Sequence, residues 1–369
     1  MTGIILHKKL IPTVMKNFTF LNSPKSNMIK SVCFFLFVSL LPSIMFSQNY
    51  RTIQAYMADF GKNEVYVKKS LMDYSVSIVE SQLYRRTQYT AERIITKLEN
   101  VNEILRKNNK GFEGNTLLRD SFIRINEKTI DCLKNGSLIL SDYEYQSSLS
   151  LAEIGENFSR KETQLAEYYQ ELKNYEQDKR TFALVYKLPL KSNKKRNILE
   201  YNAYQNMLFY KMNVMDEKLT LVINAKDKKG FSDCLNMIDL MHQEAMTSAE
   251  EFKGEYSDTS LIDANIAYAN FIAGQKDKLS DLFNNYVDEY NKLQLLKNQS
   301  QETNDAVVAY NSVVKVYNVK KNTFYSIYKD IQTTKGKLYD DWLTTNSTFL
   351  KRNGQFESIY DNYAVNDKS

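Results

Sequence analysis

Few side chains here could do acid–base, nucleophilic or metal chemistry, and their spacing excludes most of it. The only histidine beyond the first fifty residues is His242, and the residue three before it is Asp239. A carboxylate-bridged metal pair in a helical core would need a glutamate there, and would need that Glu-x-x-His motif on two helices. A single histidine also excludes most zinc sites and leaves a serine or cysteine nucleophile without a choice of base. No Gly-x-Ser-x-Gly elbow is present. Cys132 and Cys234 are too few for a disulfide framework; they are free or joined in one bridge, and packing as small core residues is the expected form. That leaves Lys179 and Lys321, flanked by Tyr175 and Tyr186 and by Tyr317 and Tyr328. Each lysine stem is expected to lie on apolar surface with its ammonium reaching water. The sharper alternative is a cation held between the rings for a partner's carboxylate. The sequence thus predicts no catalytic residue, no metal ligands and no cofactor, assigns no binding residue, and argues against an enzyme.

The elements that carry these residues repeat. Lys110 to Ile123 lies over Lys253 to Ile266, with identities at Lys110/Lys253, Gly111/Gly254, Thr116/Thr259, Leu118/Leu261, Asp120/Asp263 and Ile123/Ile266. Eight of the twenty-five positions from Thr163 to Lys187 recur from Asp305 to Lys329, among them Tyr175/Tyr317, Lys179/Lys321 and Phe182/Phe324. A near-constant offset of 142 or 143 residues predicts two copies of one unit. Proline is absent between Gln48 and Leu188 and after Leu190, as long helices require. Expected helices run over 50–82, 87–107, 116–141 and 147–185, then over 197–224, 232–252, from Thr259 toward Leu282, and over 290–329. The fourth shows the packing most plainly. Leu151, Ile154, Phe158, Lys161, Leu165, Tyr168, Leu172, Tyr175, Lys179 and Phe182 alternate spacings of three and four, a heptad seam, while Tyr169 points away from it. Its second copy reads Leu293, Leu296, Ser300, Thr303, Val307, Tyr310, Val314, Tyr317, Lys321 and Phe324. The expected fold is all-α, two tandem four-helix, up-down antiparallel bundles related by internal duplication.

The first 47 residues hold five lysines and no acid, and the block Val32 to Leu41 is apolar but too short to span a bilayer. With Lys30 before it and Ser47 after it, this reads as a signal peptide with the mature chain starting near Gln48. Removing it leaves 44 basic residues against 44 acidic ones, which argues against nucleic acid as a partner. The mature chain holds no apolar run approaching eighteen residues, so no integral membrane span is expected in it. The expected organisation is a leader (1–47), a first bundle (48–187), a linker (188–196) containing Pro189 and the basic run Lys191 to Arg196, a second bundle (197–330), and a helical extension with a polar tail (331–369).

The strings FEGNTLLRDSFI and TFALVYKL, echoed in DTSLIDANI and TFYSIYKD, resemble an uncharacterised family of bacterial surface proteins of leptospiral and bacteroidete type. The resemblance covers most of Tyr50 to Lys329 and implies a secreted, all-helical, duplicated protein; it carries no activity. The expected function is a non-enzymatic exported envelope or surface protein, in the periplasm or on the cell surface of a Gram-negative bacterium. It would bind a protein or envelope component as yet unknown. The alternatives are a periplasmic carrier of a small apolar ligand in a bundle cavity and, behind it, an enzyme.

Overall fold

Chain without proline closes its backbone hydrogen bonds locally, and helix follows helix here. The computed structural model describes residues 50–81, 84–135, 140, 142–191, 197–297, 303–354 and 364–365. The leader at 1–47, positions 192–196 of the basic run and most of the polar tail lie outside the described residues. The first half contains α1 (Ile53–Ser81), α2 (Tyr84–Asn108), α3 (Leu117–Lys134), the short α4 (Tyr143–Ser148) and α5 (Leu151–Val185). The second contains α6 (Ile198–Ala225), α7 (Lys228–Glu251), α8 (Ser260–Ala273), α9 (Lys276–Lys297) and α10 (Asn304–Asn353). Beside Pro189 the two-residue strand β1 (Leu190–Lys191) pairs antiparallel with β2 (Ala364–Val365). The class is all-helical.

Polar side chains set the helix starts. Ser150 and Glu153 form a capping box at α5, and Asn197 accepts the Leu199 N–H at 2.8 Å to open α6. Asp227 caps α7 by accepting the Gly230 N–H at 2.9 Å, so the helix starts ahead of the expected position 232. A Cβ at Gly230 would stand 2.4 Å from that carboxylate, so the glycine lets the cap close. The turns before α3 and α8 share one contact. Asn115 accepts from Leu117 at 3.1 Å and Asp258 from Ser260 at 3.2 Å, while Thr116 and Thr259 make no capping bond. Gly111 takes φ +83°, and a Cβ there would lie 2.2 Å from the Asn115 carbonyl oxygen.

In the first half, α2 packs on α1, α3 on α2 and α5 on α3. Nine of the ten expected seam residues of α5, all but half-buried Leu151, are buried. Tyr169 is buried as well, against the expectation, because α6 covers it: its hydroxyl donates to the Leu199 carbonyl at 2.9 Å.

The second half departs from the repeat. The helix expected over 290–329 is two helices, and α10 does not stop where α5 does. α5 gives way at Tyr186 and Lys187, the latter with φ +54°, whereas the matching Lys329 is mid-helix and α10 continues to Asn353. In the first half Tyr175 reaches Phe122 and Glu64, and Phe182 lies beside Tyr56. In the second half Trp342 stacks on Phe209 at 3.6 Å and donates to Asn265 at 2.6 Å, and Phe349 lies beside Tyr201. Tyr317 and Phe324, the partners by sequence, lie 25 residues earlier on the same helix. Twenty-five residues are about seven turns and ~38 Å, so the same face points inward but far along the axis. The stretch 331–353, expected as an extension without a counterpart, is what completes the core.

α6 sits at the centre of the body. It packs against α4 and α5 on one side and α7, α8 and α10 on the other, and is buried around most of its circumference from Ile198 to Asp216. The end of α10 returns to α1, where Gly354 meets Met72.

Truncation after Asp330 should therefore abolish cooperative folding of the second half. Trp342→Ala should cost about 3–5 kcal/mol in urea unfolding, against within about 0.5 kcal/mol for Val308→Ala on the surface. Equal midpoints for the two point variants would contradict this register.

Candidate functional site

The ionisable groups that could do chemistry are mostly spent inside the fold. Lys179 does not reach water: its ammonium lies 2.7 and 2.8 Å from the two carboxylate oxygens of Glu64 on α1, both side chains 3 % exposed. The Tyr175 hydroxyl donates to the same carboxylate at 2.5 Å, and Tyr186 donates to the Phe112 carbonyl instead. The expected ammonium in water and the alternative, a partner's carboxylate, both give way to a carboxylate of the chain itself. Glu64 was legible as an acid among the α1 stripe residues Tyr56, Phe60, Val67 and Leu71. Lys321 has no such setting. It is exposed, 6.0 Å from the Tyr317 ring centre, at the outer limit for a cation–π contact.

Three further clusters tie α6 to its neighbours. Lys211 bridges Glu162 of α5 and Glu244 of α7, and the Glu244 carboxyl is raised above its ordinary range, by burial first, with Lys211 opposing. Lys335 of α10 pairs with Asp216, whose pKa is also raised by burial. Tyr210 donates to Asp142 at 2.6 Å, and burial, then that carboxylate, raises its hydroxyl. Lys161 lies 3.8 Å from the same Asp142 and 5.5 Å from the Tyr210 ring, its ammonium pKa lowered by burial. These are closed, mutually satisfied sets that position helices.

His242 on α7 shares a hydrogen bond with Asn270 at 2.7 Å, and Asp239 pairs with Lys276. Cys132 and Cys234 are buried thiols that form no disulfide, and burial pushes the Cys234 thiol up to about 11. No group of His, Cys, Asp and Glu suited to a metal ion occurs among the described residues. Nor is any helix among them long and apolar enough to cross a membrane. A groove of about 710 Å³ between α3 and α5 is lined by Arg124, Lys128, Glu167 and Glu171. Ion pairs cross it, Lys128 to Glu167 at 2.8 Å and Arg124 to Glu171 at 3.4 Å, and such a lining is wrong for an apolar ligand.

Compared with known protein families, with curated proteins and with solved structures, the chain matches none. The candidate site therefore rests on geometry alone.

That geometry singles out the hairpin of α9 and α10. An aromatic collar anchors it: Phe231 stacks on Phe283 at 4.2 Å, and Tyr286 lies between Tyr317, Phe324 and Tyr325. Past the collar, Lys226 of the α6–α7 turn reaches the Tyr290 ring at 4.7 Å, and Lys228 pairs with Asp288 at 2.8 Å. From Asp288 to Lys297 and from Thr303 to Thr323 no described residue is buried. The two helices form an arm held by the half-buried Leu293, Leu296, Tyr310, Val313, Val314 and Tyr317. Its outside is apolar: Leu295 is 67 % exposed, Val308 67 %, Val316 41 % and Val319 58 %. Sequence reasoning placed Leu293, Tyr310 and Val314 on a core seam and missed the arm, because the heptad pattern does not say whether a third helix covers it.

Two measurements check these assignments. Glu64→Ala should cost about 3–5 kcal/mol by stranding the Lys179 charge, and Glu64→Leu with Lys179→Met should recover most of it; a double variant no better than the single one would break the pairing. At about pH 8, where an ordinary thiol is partly ionised, Cys234 should resist iodoacetamide until the protein is unfolded. Labelling of the native protein at Cys234 would contradict its burial.

Proposed function

We propose that this is a non-enzymatic, exported envelope or surface protein of a Gram-negative bacterium, and that the α9–α10 arm is its contact element. The carrying observation is the arm itself: two paired helices past the collar with no buried residue among those described and with large aliphatic side chains facing solvent. A surface helix ordinarily puts its apolar side chains on a core; exposed ones gathered on a projection mark a place where another molecule docks. The leader at 1–47 and the neutral charge balance of the rest support export over a nucleic-acid role.

We further infer a duplicated architecture, two up-down bundles in which the second copy carries the arm as an inserted hairpin. Supporting it are the contact shared by the turns before α3 and α8 and the burial of corresponding residues. Leu118 and Leu261, Ile125 and Tyr268, and Thr129 and Ile272 are buried in pairs. The family resemblance in the FEGNTLLRDSFI string points the same way.

Fractionation of the native host tests the location, and a photo-crosslinking residue at Val308, with one at exposed Leu240 on α7 as control, tests the surface. Recovery from the periplasm or envelope with adducts at Val308 alone is the expected result. Recovery from the cytoplasm, or equal adducts at both positions, would sink this reading.

A further inference from the structure

We propose that the arm docks on the arm of a second copy of this chain, α10 against α10, antiparallel about a two-fold axis; this rests on the arm being a contact element. Asp305, Val308, Ser312, Val316, Val319 and Thr323 recur at spacings of three and four on α10. All six are exposed, on the side turned away from Tyr310, Val313 and Tyr317, which face α9. This second stripe has the pattern of a helix–helix contact, and among the described residues no helix covers it.

Charge decides which helix fits. Asp305 stands at the tip of the stripe, and Lys315 and Lys320 flank its lower end. A copy laid parallel would set acid on acid and base on base, whereas an antiparallel copy sets each Asp305 beside the other's Lys320. The side chains agree with that register. With Ser312 facing its own counterpart on the axis, Val308 falls opposite Val316, and the small serines let the backbones approach where the helices cross. The contact is isologous, so it closes at two copies instead of growing into a fibre. Asn304 to Thr323 is about 30 Å of helix, and pairing two such faces buries on the order of 1,000 Å², the lower edge of specific interfaces. An interface of that size suits a weak, reversible dimer.

Sedimentation velocity of the purified exported protein from about 1 to 200 µM tests it. The wild type should shift from monomer to dimer. Asp305→Lys and Lys320→Glu should each weaken pairing more than about tenfold while keeping the wild-type circular dichroism and melting curve. Mixing the two variants should restore dimers, because each then faces its opposite charge at both ends. A wild type that stays monomeric throughout, or a mixture no better than either variant alone, overturns the proposal. A monomer that floats with phosphatidylethanolamine–phosphatidylglycerol vesicles overturns it in favour of a lipid surface. If the protein is monomeric but Val308 crosslinks a different polypeptide in the envelope, self-pairing falls and the proposed function stands; if Val308 crosslinks nothing, both fall.

Discussion

Everything in this fold answers to the enclosure of α6. A helix covered on most sides cannot send its polar side chains to water, so each must find its partner on a neighbour, and the neighbours are thereby placed. Lys211 fixes α5 and α7 at once, Asp216 fixes α10 through Lys335, and Tyr210 fixes the segment before α4 through Asp142. Higher up, Asn202 and Asn206 hold Asn346, and Gln205 receives Asn265, which in turn accepts from Trp342. Removing any one partner leaves a buried polar group stranded, a larger loss than the bond itself was worth. The polar content of the core thus sets which helix lies where, and the apolar content supplies the drive to bury it.

Under the proposed duplication the two halves reach similar packing with different chemistry. Asn102 and Asn126 bridge α2 and α3 at 2.9 Å, and the corresponding positions on α7 and α8 hold Ala245 and Ala269, both buried. The charged set of Glu64, Lys179 and Tyr175 in the first half becomes an aromatic stack of Phe209 and Trp342 in the second. In each case both sides of a contact differ together. Under the proposed duplication, polar pairs were replaced as pairs, which avoids the half-satisfied intermediates that cost most.

Much of this was readable from residue spacing, and the limits are physical. Proline avoidance and the three–four spacing predict the helices and the α5 seam, because both follow from local geometry. Register was not legible. Phe324 and Phe349 lie on one face of one helix and both are buried, and only distant partners, Phe283 and Tyr286 for the first and Tyr201 for the second, decide which packs where. Heptad spacing repeats too evenly to choose. The same evenness hid the candidate site: Tyr310 and Val314 have the spacing of core residues, and nothing local reveals that α6 and α7 end before reaching them. Lys179 was misread because its counter-ion, Glu64, comes from a helix 115 residues earlier.

α10 is a single helix of fifty residues, with its upper part in the arm and its lower part locked against α6, α8 and α1. A rod clamped over half its length behaves as a cantilever. Traction on the free end is not absorbed at a hinge, since neither proline nor a break in the helix interrupts it; the load arrives at the Trp342 stack and, beyond it, at the junction with the N-terminal helix. Mechanical pull on the tip would thus be felt inside the buried core.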